Sequence, residues 1–363
     1  MRDRKISRNL KKKLTEDSRW KDSYKPVEKL LVEVERRLHR RESIEALADF
    51  MASFLNVGVL QDAERYILVA GGKRLRAALC LLSAQACGAS ARDAAPLAVG
   101  VELFHAATLV IDDLIEDADM RRGRPAVHKL WGETGAVAVA VGLQLRALPS
   151  FIQSMRRAIN SGEPYSSSKM VSGVGQTIAR VLWGEVMQHR TRTHYDLDEE
   201  MYFRIIGDKT AALFEMCCAG AALIAGANDS QRRALRDYGW YLGLAFQITV
   251  DLLDLEGEMS RLGKSPGSDL KEGRVTLPLI YFFRDANEKQ RRLMAKMLPP
   301  LRKQPLPREE IVAELDKSGA ISQCRNTSRK MAARARRALS RISESPSKES
   351  LRILAMLAAD RSR

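Results

Sequence analysis

The sequence predicts an all-α fold, and three observations carry that prediction. Its 363 residues are 45% hydrophobic but only 6% aromatic, which suits a core built from Ala, Leu, Val and Ile. Runs of strict apolar–polar alternation, the mark of a half-buried strand, are scarce. From Pro26 onward apolar residues recur at helical spacing, in segments separated by short breakers.

Residues 1–25 read as a basic polar arm, and residues 26–363 as one helical domain, since no linker divides the chain. Breakers are expected at "VGV" near 57, "GG" at 71, "CGAS" at 87, "RRGRP" at 121, "SGEPYSSS" at 161 and "GANDS" at 226. They continue at "GKSPGSD" (263), "LPPLRKQPLP" (298) and "SESPS" (343). The Ser-rich stretch 161–168 and the Pro-rich stretch 298–307 are the expected mobile loops. A last helix should begin at Pro346, because proline fits a first helical turn. No internal repeat is present.

The formal net charge of +15 asks for a polyanion: nucleic acid, an anionic membrane surface or a phosphorylated substrate. Much of the excess lies at residues 2–13 and 325–341, which read as solvated faces. The remaining cations form short clusters inside apolar helices, where a small anionic ligand would bind. Neither a basic groove studded with aromatics nor a zinc-finger spacing argues for nucleic acid. No run of 18 uninterrupted apolar residues occurs, so no membrane span is expected. The N-terminus "MRDRKISRNLKKKL" lacks the apolar core of a secretory signal, and a cytoplasmic location is expected. That arm could also touch anionic lipid. Five cysteines (Cys80, Cys87, Cys217, Cys218, Cys324) without CxxC spacing are expected to be reduced, buried and structural.

Chemistry concentrates in "IDDLIEDADMRRGRP", residues 111–125. On a helix Asp112 with Glu116, and Asp113 with Asp117, lie one turn apart, and oxygen ligands so crowded suit Mg²⁺ shared with a phosphate. Arg121 and Arg122 follow at once, with forks that favour phosphate oxygens. A second acidic helix, "YLGLAFQITVDLLDL", carries Gln247, Asp251 and Asp254. Lys209 and Thr210 open an apolar helix in "GDKTAALF", and "GGKRLRAAL" brings Lys73, Arg74 and Arg76 behind a glycine pair. Taken together, these sets describe metal ions bridging diphosphates to a helical cavity.

From about residue 50 onward the chain resembles the trans-isoprenyl diphosphate synthases, or polyprenyl synthetase family. "GGKRLR", "HAATLVIDDLIEDADMRRGRPAVH", "KTAALF", "GLAFQITVDLLD" and "GKSPGSDLKEGRVTLPLI" occur in the family's order. The resemblance implies a single helical domain around a deep central cavity, a homodimer, and a prenyltransferase that condenses isopentenyl diphosphate with an allylic prenyl diphosphate by ionisation, condensation and elimination. It implies that Lys73, Arg76, His105 and Arg122 bind the isopentenyl diphosphate. Arg121, Lys209, Thr210, Gln247 and Lys264 would hold the allylic substrate, with Arg274 adding charge. Asp112, Asp113 and Glu116 would be the first metal set, and Asp251 and Asp254 the second. His39, His189 and His194 read as ordinary polar positions.

Three departures stand against the family pattern. Glu116 replaces an aspartate, Val250 stands where the second motif opens with another aspartate, and Leu143 follows a glycine where an aspartate is common. Val250 and Leu143 keep two alternatives open: a catalytically weak partner or regulatory subunit, and a terpene-synthase-like lyase. Small residues at Ala107 and Thr108, with Phe104 a turn further away, imply a product of C20 or longer.

Overall fold

The computed structural model describes residues 22–38, 57–160, 166–257, 266–300 and 307–360. Most of the basic arm 1–25 lies outside the described residues, and so do His39 and Lys264. The chain is all-α, as its composition predicts. A 3₁₀ turn, Lys25–Val27, leads into α1 (Glu28–Leu38). Then come α2 (Val57–Val69), α3 (Leu75–Ala86) and α4 (Ala95–Ile115). A two-residue ribbon, β1 (Met120–Arg121) with β2 (Arg124–Pro125), precedes α5 (Val127–Ile159) and α6 (Ser166–Arg190). The chain continues through α7 (Glu199–Ile206), a π turn (Gly207–Ala211), α8 (Ala212–Ile224) and α9 (Asp229–Glu256). After the single turn α10 (Ser268–Lys271) follow α11 (Leu277–Asp285), α12 (Glu288–Met297), α13 (Arg308–Lys317), α14 (Ala320–Ala338) and α15 (Pro346–Ala359).

These helices form two compact units. The first comprises the chain up to Val174, Met216–Arg236 and Leu339–Leu354. Its centre is α4, apolar almost all round and opened by Pro96 in its first turn, as a fully enclosed helix should be. It packs along α5 and α3. Close approach to α5 depends on Gly100, where a Cβ would come within 2.9 Å of the Phe151 ring. Leu143 is fully buried in this core, so the expected aspartate position holds packing and not charge.

The second unit comprises Gly175–Glu215, Asp237–Ala338 and Ala355–Arg363. Ile248, Leu252, Leu277, Phe282, Ile311, Leu315, Ile321 and Cys324 fill its core, with α11, α13 and α14 packed together. Asp198 caps α7 by accepting the Met201 N–H at 2.7 Å, and a capping box of Asn287 and Gln290 opens α12. The face of α14 with Arg329, Lys330, Arg336 and Arg337 is exposed, in keeping with a solvated cationic strip.

One expectation needs correction, and others gain detail. "VGV" near 57 forms the first turn of α2, and residues 39–56 before it lie outside the described residues. "RRGRP" folds as a hairpin whose turn residues, Arg122 and Gly123, both have positive φ (55° and 73°), the combination that a tight two-residue hairpin requires. Among the described residues α5 is long and apolar enough to cross a membrane by length and composition. Counting only uninterrupted apolar runs missed it, because Glu133 and Arg146 punctuate the helix. Gly132 (φ 70°) breaks the helix after its first turn; beyond it Val137, Val141, Leu148, Ile152 and Ile159 are each 45–56% exposed and recur at steps of four and seven, one stripe. The cysteines are all free, and all but the half-buried Cys87 are buried.

Candidate functional site

In the first unit, α4 ends in its own acids. Asp112 and Glu116 are half-buried and Asp113 fully buried, where the negative end of the helix dipole opposes all three. Stability alone would not choose them. Asp113 is gripped by the Arg121 fork: Nε donates to Oδ1 at 2.8 Å and to Oδ2 at 3.0 Å, and Nη2 also donates to Oδ1. Burial still raises the Asp113 pKa, against the hydrogen bonds and charge of Arg121. Asp117, at φ 48°, turns away from Asp113 and accepts from Lys129 at 2.6 Å and His128 at 3.3 Å.

The hairpin sends its two arginines to different places. While Arg121 meets Asp113, Arg122 lays its guanidinium over the backbone of Gly72, where a Cβ would come within 3.0 Å of Nη2. Desolvation, then the neighbouring Arg74 cation, lower the Arg122 pKa to about 10. Beside it Lys73 is exposed, and Arg76 Nη1 lies 2.9 Å from His105 Nε2. Arginine has no acceptor, so His105 Nε2 must accept and its proton sits on Nδ1. Burial, followed by the cations Arg76, Arg122, Arg121 and Arg74, pushes the His105 pKa well below its ordinary value. The imidazole is therefore neutral at physiological pH and offers one donor, Nδ1–H.

The second unit gathers a polar chain. Thr210 Oγ1 donates to Gln247 Oε1 at 2.8 Å, Gln247 Nε2 donates to Asp251 Oδ1 at 2.7 Å, and Tyr202 Oη donates to Asp251 Oδ2 at 2.7 Å. Burial first, then the charge of Asp269, raises Asp251 to about 7. Asp254 accepts from Ser268 Oγ at 2.7 Å and from the Asp269 N–H at 2.9 Å, fixing the start of α10. Lys209 and Thr210, expected at the front of an ordinary helix, lie in the π turn, a distortion common at functional sites. That turn passes so close to Gly184 of α6 that any side chain there would collide with Lys209. Lys209 pairs with Glu185 and donates to Gln188 at 2.7 Å. Arg274 is committed to Asp269 at 3.3 Å and Glu272 at 2.9 Å.

Oxygen-only donors one turn apart at Asp112 and Glu116 fit a hard cation that shares its shell with a phosphate. Among the described residues, however, no three His, Cys, Asp or Glu side chains converge on a ready metal cluster. The reason is local: Asp113 faces Arg121, Val250 brings no oxygen, and Asp251 and Asp254 accept from protein donors. Sequence reasoning missed Glu35, Glu102, Glu185 and Tyr202. Glu102 carried a signal, as a lone carboxylate inside an apolar run.

Residues 57–314 match the sequence profile of the polyprenyl synthetase family. The chain belongs to that family. As a polyprenyl synthetase it is a prenyltransferase with the all-α isoprenoid synthase fold. It is 33% identical to an all-trans-nonaprenyl-diphosphate synthase (geranyl-diphosphate specific) of Rhodobacter capsulatus, over 86% of this chain and 94% of that one. It is 35% identical to a geranylgeranyl diphosphate synthase of Methanosarcina mazei, over 70% and 76% respectively. Among solved structures it resembles a polyprenyl synthase from Caulobacter crescentus complexed with calcium and isoprenyl diphosphate. That match has a TM-score of 0.81 and 28% identity, covering 94% of this polyprenyl synthetase and 98% of the other chain.

Proposed function

We propose that this polyprenyl synthetase condenses isopentenyl diphosphate with an allylic prenyl diphosphate in C5 steps, with Mg²⁺, to a product of C20 or longer. The observation that carries the reading is the intact cationic loop of the first unit, with Lys73, Arg76, a neutral His105 and Arg122 in one neighbourhood. An enzyme that only ionised an allylic diphosphate would have no second diphosphate for it to hold.

In this reading Lys73, Arg76 and Arg122 neutralise the isopentenyl diphosphate, and His105 Nδ1–H adds a donor that keeps its proton across neutral pH. Arg121 exchanges Asp113 for an oxygen of the allylic diphosphate, as a planar fork can. Asp112, Glu116 and the released Asp113 would hold Mg²⁺, which supplies Lewis-acid stabilisation of the departing diphosphate. Lys209, steadied by Glu185 and Gln188, and Thr210, tied to Gln247, would bind the allylic diphosphate, with Lys264 adding positive charge; Arg274 is already neutralised by Asp269 and Glu272. Asp251 and Asp254 would form the weaker metal set, because Val250 brings no oxygen beside them and both already accept from protein donors. Ala107 and Thr108 leave room for growth, and the buried Phe104 forms the stop.

A second copy of the chain is part of the proposal. The exposed apolar stripe of α5 runs from Val137 to Ile159 along the part of the helix that follows the break at Gly132, longer than single scattered apolar side chains explain. The pair Arg146–Glu64, at 2.8 Å, ties the same helix to α2 and favours a protein neighbour over lipid.

The test is incubation with isopentenyl diphosphate, Mg²⁺ and, separately, C5, C10, C15 and C20 allylic diphosphates, with products identified by mass. Lengthening in C5 steps supports the reading. Loss of the allylic substrate without lengthening would favour a lyase, and no turnover would favour a partner subunit.

A further inference from the structure

Arg74 is the one cation of "GGKRLR" that the proposed reaction does not use. Its backbone is left-handed (φ 49°), an unfavourable conformation for a residue with a Cβ. Its guanidinium is almost wholly enclosed. Nε donates to Glu35 Oε2 at 2.5 Å and Nη2 to Glu35 Oε1 at 2.9 Å, a bidentate pair. Nη1 donates to Glu102 Oε2 at 3.1 Å, and Nη2 also reaches the Leu68 carbonyl at 3.3 Å. Glu102 Oε1 in turn accepts the Ala77 N–H at 3.1 Å, in the first turn of α3. The Arg74, Glu35 and Glu102 side chains are 4%, 8% and 5% exposed. Every guanidinium nitrogen thus has a protein acceptor, and Arg74 is not placed to hold a ligand.

What the clamp fixes is the backbone between Lys73 and Arg76. Glu102 comes from α4, the helix that also carries His105. Glu35 comes from α1, upstream of the residues 57–314 that match the family profile. We propose that Glu35 is a positioning residue: with Glu102 it pins Arg74 in its left-handed turn, and so holds Lys73 and Arg76 in register for the diphosphate of isopentenyl diphosphate. This rests on the assignment of that diphosphate to the first unit.

Charge and geometry predict opposite signs here, which makes the proposal testable. Glu35→Gln removes a negative charge that acts on Arg74 and Arg122, so electrostatics alone would tighten anion binding. Loss of the charge-assisted clamp would weaken it, by releasing the loop.

The experiment compares wild type, Glu35→Gln and Arg74→Lys, a variant that keeps the charge and loses the fork. KM for isopentenyl diphosphate and for the allylic diphosphate are measured separately, with unfolding curves alongside. Calorimetry with inorganic pyrophosphate in EDTA reads binding without turnover. The expected result is a KM for isopentenyl diphosphate and a pyrophosphate Kd each raised about tenfold in both variants, in the range of a lost charged hydrogen bond. KM for the allylic substrate should stay within about twofold. An unchanged or lowered isopentenyl KM in a folded variant overturns the proposal, as does an equal loss for both substrates that follows lowered stability. Should Glu35→Gln fail to fold, Arg74→Lys carries the same comparison. A wild type that elongates nothing would refute the assignment of function, and the pyrophosphate measurement would still decide the role of the clamp.

Discussion

Asp251→Asn should stabilise the metal-free protein, and more so at alkaline pH. Asp251 is 5% exposed, and burial, then the charge of Asp269, raises its pKa to about 7. An unfolded aspartate titrates near 4, so the folded chain holds this proton more tightly than the unfolded chain does. That preference is fully present below about pH 4 and is lost as the pH rises through 7. With a pKa of about 7 in the folded chain against about 4 in the unfolded one, ionisation of Asp251 opposes folding by about 4 kcal/mol at pH 8 and by clearly less at pH 5. Asparagine removes the charge and keeps a hydrogen bond to each neighbour, although the Tyr202 hydroxyl proton loses its acceptor. Gln247 still donates to its oxygen, and the Tyr202 hydroxyl turns to accept from its amide. For 363 residues the gain at pH 8 corresponds to about 5 °C in Tm. The assay is thermal and urea unfolding in EDTA at pH 5 and pH 8. A stabilisation equal at the two pH values, or a destabilisation at pH 8, would refute the reasoning.

Other outcomes follow from the same geometry. Gly72→Ala should displace the Arg122 guanidinium and raise KM for isopentenyl diphosphate severalfold, with little change in Tm; an unaltered KM would separate Arg122 from that substrate. Leu143→Asp, restoring the common family residue, should destabilise by more than about 3 kcal/mol in urea unfolding, since it buries a carboxylate in an apolar core. Phe104→Ala should lengthen the products seen by mass spectrometry, and an unchanged product distribution would remove Phe104 as the stop. Because burial and its arginine neighbours hold the His105 pKa well below the ordinary value, KM for isopentenyl diphosphate should show no histidine limb between about pH 6 and 8. A titration in that window, absent in His105→Gln, would contradict the neutral imidazole.

The parts legible in the sequence were those set by local rules. Helical periodicity gave the all-α class, Pro346 marked the start of α15, and the acids at the end of α4 announced themselves by crowding against a helix C-terminus. The parts not legible depend on distant partners. Nothing near Asp113 in sequence says whether its carboxylate will face a metal or the Arg121 fork, because that choice is made by a hairpin turn at Arg122 and Gly123. Lys209 sits in a π turn because Gly184, on another helix, leaves room for its backbone. Glu35 and Arg74 lie 39 positions apart, and charged residues on an amphipathic helix such as α1 ordinarily face water. In the sequence Val250 stands where the second motif opens with an aspartate. The structure adds that its neighbour Asp251 already accepts from Tyr202 and Gln247.

The central claim is that this chain joins C5 units to an allylic diphosphate. It is tested most directly by incubating wild type with labelled isopentenyl diphosphate and a C15 allylic diphosphate, with Mg²⁺ and with EDTA, and weighing the products. The account predicts label in products lengthened by one or more C5 units with Mg²⁺ and none in EDTA. An allylic substrate left unlengthened in Mg²⁺ would contradict it.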